Sequence, residues 1–292
     1  MTTQQVVGLV NVTALAAIML SIGLQVTVAA VVAAARSAGR VALGVAANFV
    51  LVPAVTLGLL RVVQPEPLVA VGFLILAVCP GAPVGPPATA IGRGDVPWAV
   101  GLMVILGGLS AVLSPALLGL FVPWVAPDSA LAVDSLGIVR TLLLAQLLPL
   151  TVGLAVRHVA PAVTARIARP IGLLANVLLA VLIGLILATQ FDTLAAIRAG
   201  AWVGMLVLFL ASVAIGWVCV TGGGATRKAS ALTTAARNAA VGLAIATGNF
   251  AGTPAVTAVV AYGLVSMLGT LAGGVVFGRL AAPGLRTRLT AP

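Results

Sequence analysis

Apolar residues run along this chain in long stretches, separated by short segments that are polar, basic or rich in proline and glycine. A stretch of about 20 apolar residues lets a helix cross a hydrocarbon layer of about 30 Å. The runs are too long and too uniformly apolar for the alternating strands of a barrel, so helix is the spanning element. The stretches fall at about 7–34, 41–62, 67–92, 96–124, 136–157, 168–190, 199–220, 228–249 and 253–280. The pattern predicts an all-α polytopic membrane protein with about nine transmembrane helices, built as one integral membrane domain over residues 1–292.

Two of the nine stretches break the pattern. The third holds Pro80, Gly81, Pro83, Gly85, Pro86 and Pro87. Proline lacks an amide donor and obstructs the bond to the preceding turn. The backbone there is expected to unwind and leave polar groups free, which at membrane depth requires protein or a watery cavity to satisfy them. The eighth, within 230–250, is interrupted by Thr233, Thr234, Arg237 and Asn238. An arginine at mid-bilayer costs on the order of 2.5–3.5 kcal/mol on insertion scales, so it faces a partner, a cavity or a ligand. The two breaks lie five stretches apart and run in opposite directions. Interrupted helices in corresponding positions of two halves point to a transport site. Stretches 1–4 and 6–9 are read as inverted repeats, with the fifth as a link and the crossing helices at about 67–92 and 228–249.

Charge fixes an orientation. Arg36, Arg40, Arg93, Arg157, Arg166, Arg169, Arg227, Lys228, Arg279, Arg286 and Arg288 fall between stretches or in a tail on one side, and only Arg61, Arg140 and Arg198 on the other. Basic loops stay in the cytoplasm, so the N-terminus is predicted outside and the C-terminus inside, in a multi-pass protein of the cell membrane. Four of the five acids, Glu66, Asp128, Asp134 and Asp192, fall on the outer side. With 62% hydrophobic and 7% charged residues, the chain is not a soluble domain. Its net charge of +10 therefore reads as loop charge rather than a nucleic-acid surface. Nothing reads as a cleavable leader, because the first apolar stretch lacks a basic start and continues into further spans. Cys79 and Cys219 lie in apolar runs without a metal-ligand spacing and are expected to be free thiols.

Candidate chemistry centres on the two breaks. Arg237 offers a fork of donors suited to a carboxylate or sulfonate; alternatively it snorkels or binds backbone carbonyls of the broken third stretch. Asn238, Thr233, Thr234, Pro83, Gly85, Pro86, Thr89 and Asn48 complete the candidate substrate-binding set. Lone polar groups in a span also serve as hydrogen-bonding glue between helices. That is the reading for Gln25, Gln146 and Asn176 as well. No nucleophile–base set, phosphate loop or metal cluster is present in the sequence, which argues against an enzyme.

These residues resemble the bile acid:sodium symporter family along essentially the whole chain. CPGAPVGPPATAIGRGD (79–95) looks like the family segment on one crossing helix, and TTAARNAAVGLAIA (233–246) like that on the other. IGLQV (22–26), ANFVLVP (47–53) and SPALLG (114–119) are supporting pieces. The resemblance implies a panel domain beside a core domain of crossing discontinuous helices, in the nine-helix form, and import of organic anions coupled to sodium. It also exposes departures. The family's sodium-binding Ser-Asn pair falls on Gly85 and Pro86, its Glu on Thr233, its Gln on Arg237, and the hydroxyls of the next helix on Leu106 and Gly107. Only Asn238 is kept. Sodium wants several oxygen ligands, and a fixed positive charge nearby opposes it.

The expectation is therefore a secondary transporter of a small organic anion that works by alternating access without the usual sodium sites and needs no cofactor. Alternatives are a sodium-coupled symporter that uses backbone ligands, or a non-transporting sensor or scaffold of the same fold. Expected partners are the anion and the lipid bilayer, with no nucleic acid.

Overall fold

The computed structural model describes residues 3–127 and 134–280. Asp128, Arg286 and Arg288, named above, lie outside the described residues. Among the described residues fourteen α-helices follow one another: α1 Thr3–Gln25, α2 Val28–Ala35, α3 Ala38–Ala46, α4 Val52–Val63, α5 Pro67–Ala77, α6 Gly85–Ile91, α7 Val96–Val125, α8 Ser135–Leu142, α9 Leu148–Val159, α10 Pro161–Ala195, α11 Ala199–Cys219, α12 Gly224–Ala235, α13 Ala239–Asn249 and α14 Pro254–Leu280. Among the described residues there are no strands, and seven stretches are helical, long and apolar enough to cross a membrane. The two interrupted stretches appear as the shorter pairs α5/α6 and α12/α13.

Two helices widen by one π-helical turn, Ala47–Leu51 between α3 and α4, and Leu143–Leu147 between α8 and α9. Each is followed, one residue on, by a proline: Val52 and then Pro53, Leu148 and then Pro149. A proline ring clashes with the carbonyl four residues earlier, and a widened turn relieves that clash without ending the helix.

The first apolar stretch differs from the expectation of one helix over 7–34. It breaks after Gln25 and restarts at Val28, where the Thr27 hydroxyl caps α2 by accepting the Ala30 amide at 3.2 Å. The freed Leu24 carbonyl at the end of α1 accepts Arg157 Nη1 at 3.1 Å. The two pieces pack on different neighbours. α1 lies against α9 and α10, and α2 lies against α7. The α1–α9 approach is backbone to backbone: a Cβ on Gly23 would sit 2.3 Å from the Leu150 carbonyl oxygen, and one on Gly153 2.6 Å from that of Leu20. Small residues permit such contact where water provides no hydrophobic drive between helices.

The core lies around α5. Every residue from Val69 to Ala77 is buried, as expected of a helix that is apolar all round. α14 packs along α5 and α6, and α12 packs against α6, α7 and α11. The connections gather at two ends. Lys228 Nζ donates to the carbonyls of Gly92 at 3.0 Å and Phe277 at 3.2 Å, and the Asp95 amide to that of Ala225 at 3.0 Å. At the other end the Asp134 amide donates to Asn249 Oδ1 at 3.2 Å, and Gly8 and Val12 share a cavity with both. The start of α1 and the end of α14 therefore lie at opposite ends.

Candidate functional site

The two breaks meet. Between α5 and α6, and between α12 and α13, the backbone is extended at Pro80 and Arg237, which pair as an isolated antiparallel bridge. The Asn238 amide donates to the Cys79 carbonyl at 2.8 Å. Its side-chain Nδ2 reaches the Gly81 carbonyl at 3.3 Å, while Oδ1 caps α13 by accepting the Val241 amide at 3.2 Å. Gly81 is at φ +84, and a Cβ there would lie 2.6 Å from the Gly107 nitrogen. Only glycine accepts both the left-handed conformation and this approach of α7.

Four helix ends converge on this point, and their carbonyls are satisfied one by one. Ser114 on α7 donates its hydroxyl to the Val78 carbonyl. Ser266 on α14 donates to the Ala235 carbonyl at 2.8 Å and accepts the Arg237 amide at 2.8 Å. Arg237 itself is 2% exposed. Its Nη1 donates to the Ala77 carbonyl at 2.9 Å, and its Nη2 to the Thr234 carbonyl. These carbonyls lie in the last turns of α5 and α12. A helix C-terminus carries about half a negative charge. Two such ends together match one guanidinium, and among the described residues no carboxylate hydrogen-bonds it. Nε is buried without a hydrogen-bond partner among the described residues.

The other predicted residues surround this pair. Thr234 Oγ1 accepts Asn48 Nδ2 at 3.1 Å; the same nitrogen bonds the Gly44 carbonyl at 2.9 Å, across the widened turn that carries Asn48. Thr233 faces Gly85: a Cβ on that glycine would sit 3.4 Å from Thr233 Oγ1. Thr89 turns its hydroxyl back to the Gly85 carbonyl of its own helix at 2.9 Å. Pro83 lines a cavity of about 70 Å³ together with Ala82, Val84, Arg237, Asn238 and Ala239. Pro83 and Pro86 also line a larger cavity of about 500 Å³ between α1, α6, α7 and α10. Ile18, Pro83 and Leu179 belong to both, so the cavities adjoin.

Several contributors were not singled out in the sequence. Ser266 had no signal, being one hydroxyl in an apolar helix. Ser114 lies in SPALLG (114–119) but was not assigned to the break. Gln146, on the second widened turn, donates to the Gly107 carbonyl and to Ser110 Oγ, which fits the glue expected of a lone amide. Cys79 and Cys219 are free thiols. Among the described residues no group of His, Cys, Asp and Glu is arranged to hold a metal ion.

The crossing of two broken helices inside a bundle of apolar helices is the construction of a multi-pass membrane transporter. The chain belongs to the sodium bile acid symporter family, whose model matches residues 12–197. Members of this family are transporters and not enzymes. The match takes in α5/α6 and stops before α12/α13, so the half of the crossing that holds Arg237 lies beyond it. A comparison with curated proteins gave no match.

Proposed function

We propose that this protein carries a small organic anion across the cell membrane by alternating access around the crossing of α5/α6 with α12/α13, and that it does so without sodium. Nine membrane passes, in two inverted four-pass repeats linked by the fifth, would put the N-terminus outside and the C-terminus in the cytoplasm. In this reading α1, α9 and α10 form most of the panel, and the broken helices with α7 and α14 form the core.

The observation that carries the sodium-free reading is the placement of the guanidinium. A soluble cation at the crossing would need the carbonyl oxygens at the ends of α5 and α12. Arg237 already takes Ala77 and Thr234 there. Its charge balances the two helix ends and adds a repulsion against a second cation in a setting of low dielectric. The anionic group of a substrate would approach from the small cavity, where the N-terminal end of α13 is favourable to negative charge. Arg237 then acts as a tethered cation, and Asn238 positions the turn.

The second reading, a sodium symporter, is favoured by the family to which the chain belongs. Uptake into proteoliposomes decides between them. Taurocholate and a panel of small monocarboxylates would be offered in matched sodium and choline buffers. Equal uptake in both is expected. Uptake that collapses in choline overturns the sodium-free reading, and absence of uptake for every anion favours a non-transporting role.

A further inference from the structure

Three segments far apart in the chain come together at the end of the molecule that holds Lys228. α6 stops at Ile91, α12 starts at Gly224 and α14 runs to Leu280. Lys228 joins them through its bonds to the Gly92 and Phe277 carbonyls. An ammonium has three donors, so one is left over. The end of α6 is closed by its own backbone. The Gly94 amide donates to the Thr89 carbonyl at 2.9 Å and the Arg93 amide to that of Ala90 at 3.1 Å, the bond pair of a Schellman turn. The left-handed position of such a turn normally takes glycine. Here it holds Arg93, at φ +54, although glycines stand on both sides of it. A side chain in that conformation is held at a cost in backbone strain. Its guanidinium is not spent on capping α6, because the Thr89, Ala90 and Gly92 carbonyls are already taken. Arg279 stands on the adjoining turn of α14, where Gly278 packs its α-carbon against the Ile91 carbonyl with no room for a side chain. Arg93 and Arg279 are exposed, and neither side chain has a hydrogen-bond or ion-pair partner among the described residues. Asp95, two residues from Arg93, is engaged elsewhere: Oδ1 accepts the Trp98 amide at 3.0 Å and Oδ2 the Thr226 hydroxyl at 3.4 Å. Beside these charges Ile91 and Val275, one turn before Arg279, leave apolar surface exposed.

We infer that Arg93, Lys228 and Arg279 form a binding site for the headgroup of an anionic phospholipid, whose acyl chains run along Ile91 and Val275. A guanidinium meets a phosphate diester with two parallel N–H bonds, and the ammonium adds a point charge. Lys228 also offsets the negative helix ends of α6 and α14, so the phosphate is not repelled there. A basic residue that only sets orientation can stand anywhere in a connection. It needs neither a left-handed backbone nor convergence with a second free guanidinium on a half-used ammonium. Basic pockets between transmembrane helices are suited to such headgroups. A lipid held here ties the end of one broken helix, the start of the other and α14 together. The site is independent of the transported anion and of sodium.

The test follows thermal unfolding of the full-length protein in a neutral detergent. Dioleoylphosphatidylglycerol is titrated in, with dioleoylphosphatidylcholine as the neutral lipid and glycerol phosphate as the headgroup chemistry without chains. The anionic lipid is expected to raise the midpoint by about 5 °C near saturation, and the other two to leave it unchanged. Arg93→Gln and Arg279→Gln should each weaken the apparent affinity about fivefold, the scale of one basic residue at an anionic surface. Arg166→Gln with Arg169→Gln removes as much charge elsewhere and should change it less than about twofold. Arg93→Gly separates site from scaffold. Glycine relieves the left-handed backbone, so the midpoint without lipid should hold or rise while the affinity for the anionic lipid falls. A response equal for both lipids, or one that survives Arg93→Gln with Arg279→Gln, overturns the site. So does an equal loss in the Arg166 and Arg169 pair, which would mean diffuse attraction, or an equal shift with glycerol phosphate, which would mean a free phosphate site. Uptake that depends on sodium, or no uptake at all, leaves this site untouched.

Discussion

Arg237 illustrates how little a residue's name says about its partners. Its neighbours in sequence are Ala236 and Asn238, and no acid is near in the chain. The guanidinium nevertheless finds two backbone carbonyls, one from each broken helix. Backbone carbonyls leave no trace in a sequence, so the alternative between ligand and carbonyl contact could be posed but not decided there. The side chain ties α5 to α12, and its loss would leave both acceptors buried. At roughly 1–3 kcal/mol for each unsatisfied group, Arg237→Ala should destabilise the protein by about 2–6 kcal/mol. Arg237→Lys should lose less, because an ammonium keeps the charge but lacks the fork that spans two acceptors. Thermal unfolding in detergent measures both; an unchanged midpoint for Arg237→Ala would show that the bonds contribute nothing.

The elements were legible in proportion to how their breaks are written. Four prolines in eight residues, Pro80 to Pro87, announced the gap between α5 and α6. The polar run from Thr233 to Asn238 announced the gap between α12 and α13. The break between α1 and α2 carries neither proline nor glycine; a single Thr27 hydroxyl turns the chain, and that is a weak signal among apolar neighbours. The widened turns before Pro53 and Pro149 were likewise invisible as geometry, although the prolines that call for them are plain. What the pattern did not contain is the register of the crossing, which depends on close contacts between distant residues. Gly81 sets that register. Gly81→Ala would force a Cβ to 2.6 Å from the Gly107 nitrogen at a positive φ, and neither backbone can yield easily. The variant is expected to lose its monodisperse peak in size-exclusion chromatography. Gly184→Ala, in α10 with nothing within 4 Å, is the control and should be neutral or slightly stabilising. Normal behaviour of Gly81→Ala would mean that the crossing is looser than its contacts imply.

At the scale of the molecule, the two ends differ in charge, and the proposed orientation rests on this difference. One end joins Leu24 with Arg157, Asp95 with Ala225, and Lys228 with Gly92 and Phe277. Arg40 lies at the same end, its guanidinium 5.2 Å from the Trp98 ring centre. The other end joins Asp134 with Asn249, and Glu66 shares a cavity with Arg198 and Pro254. Asp95 is the one acid at the first end among the described residues, beside a majority of the basic ones. Basic connections resist translocation, so the end with Lys228 should face the cytoplasm. That orientation would direct the larger cavity, which reaches Gln25 and Val96, toward the cytoplasm, and the cavity beside Asp134 outward. Two exposed glycines with nothing within 4 Å of an added Cβ, Gly223 and Gly248, mark the two ends. With both native cysteines replaced by alanine, Gly248→Cys should react with an impermeant maleimide in intact cells, and Gly223→Cys only after permeabilisation. The opposite pattern would invert the molecule in the membrane. The larger cavity would then open to the outside.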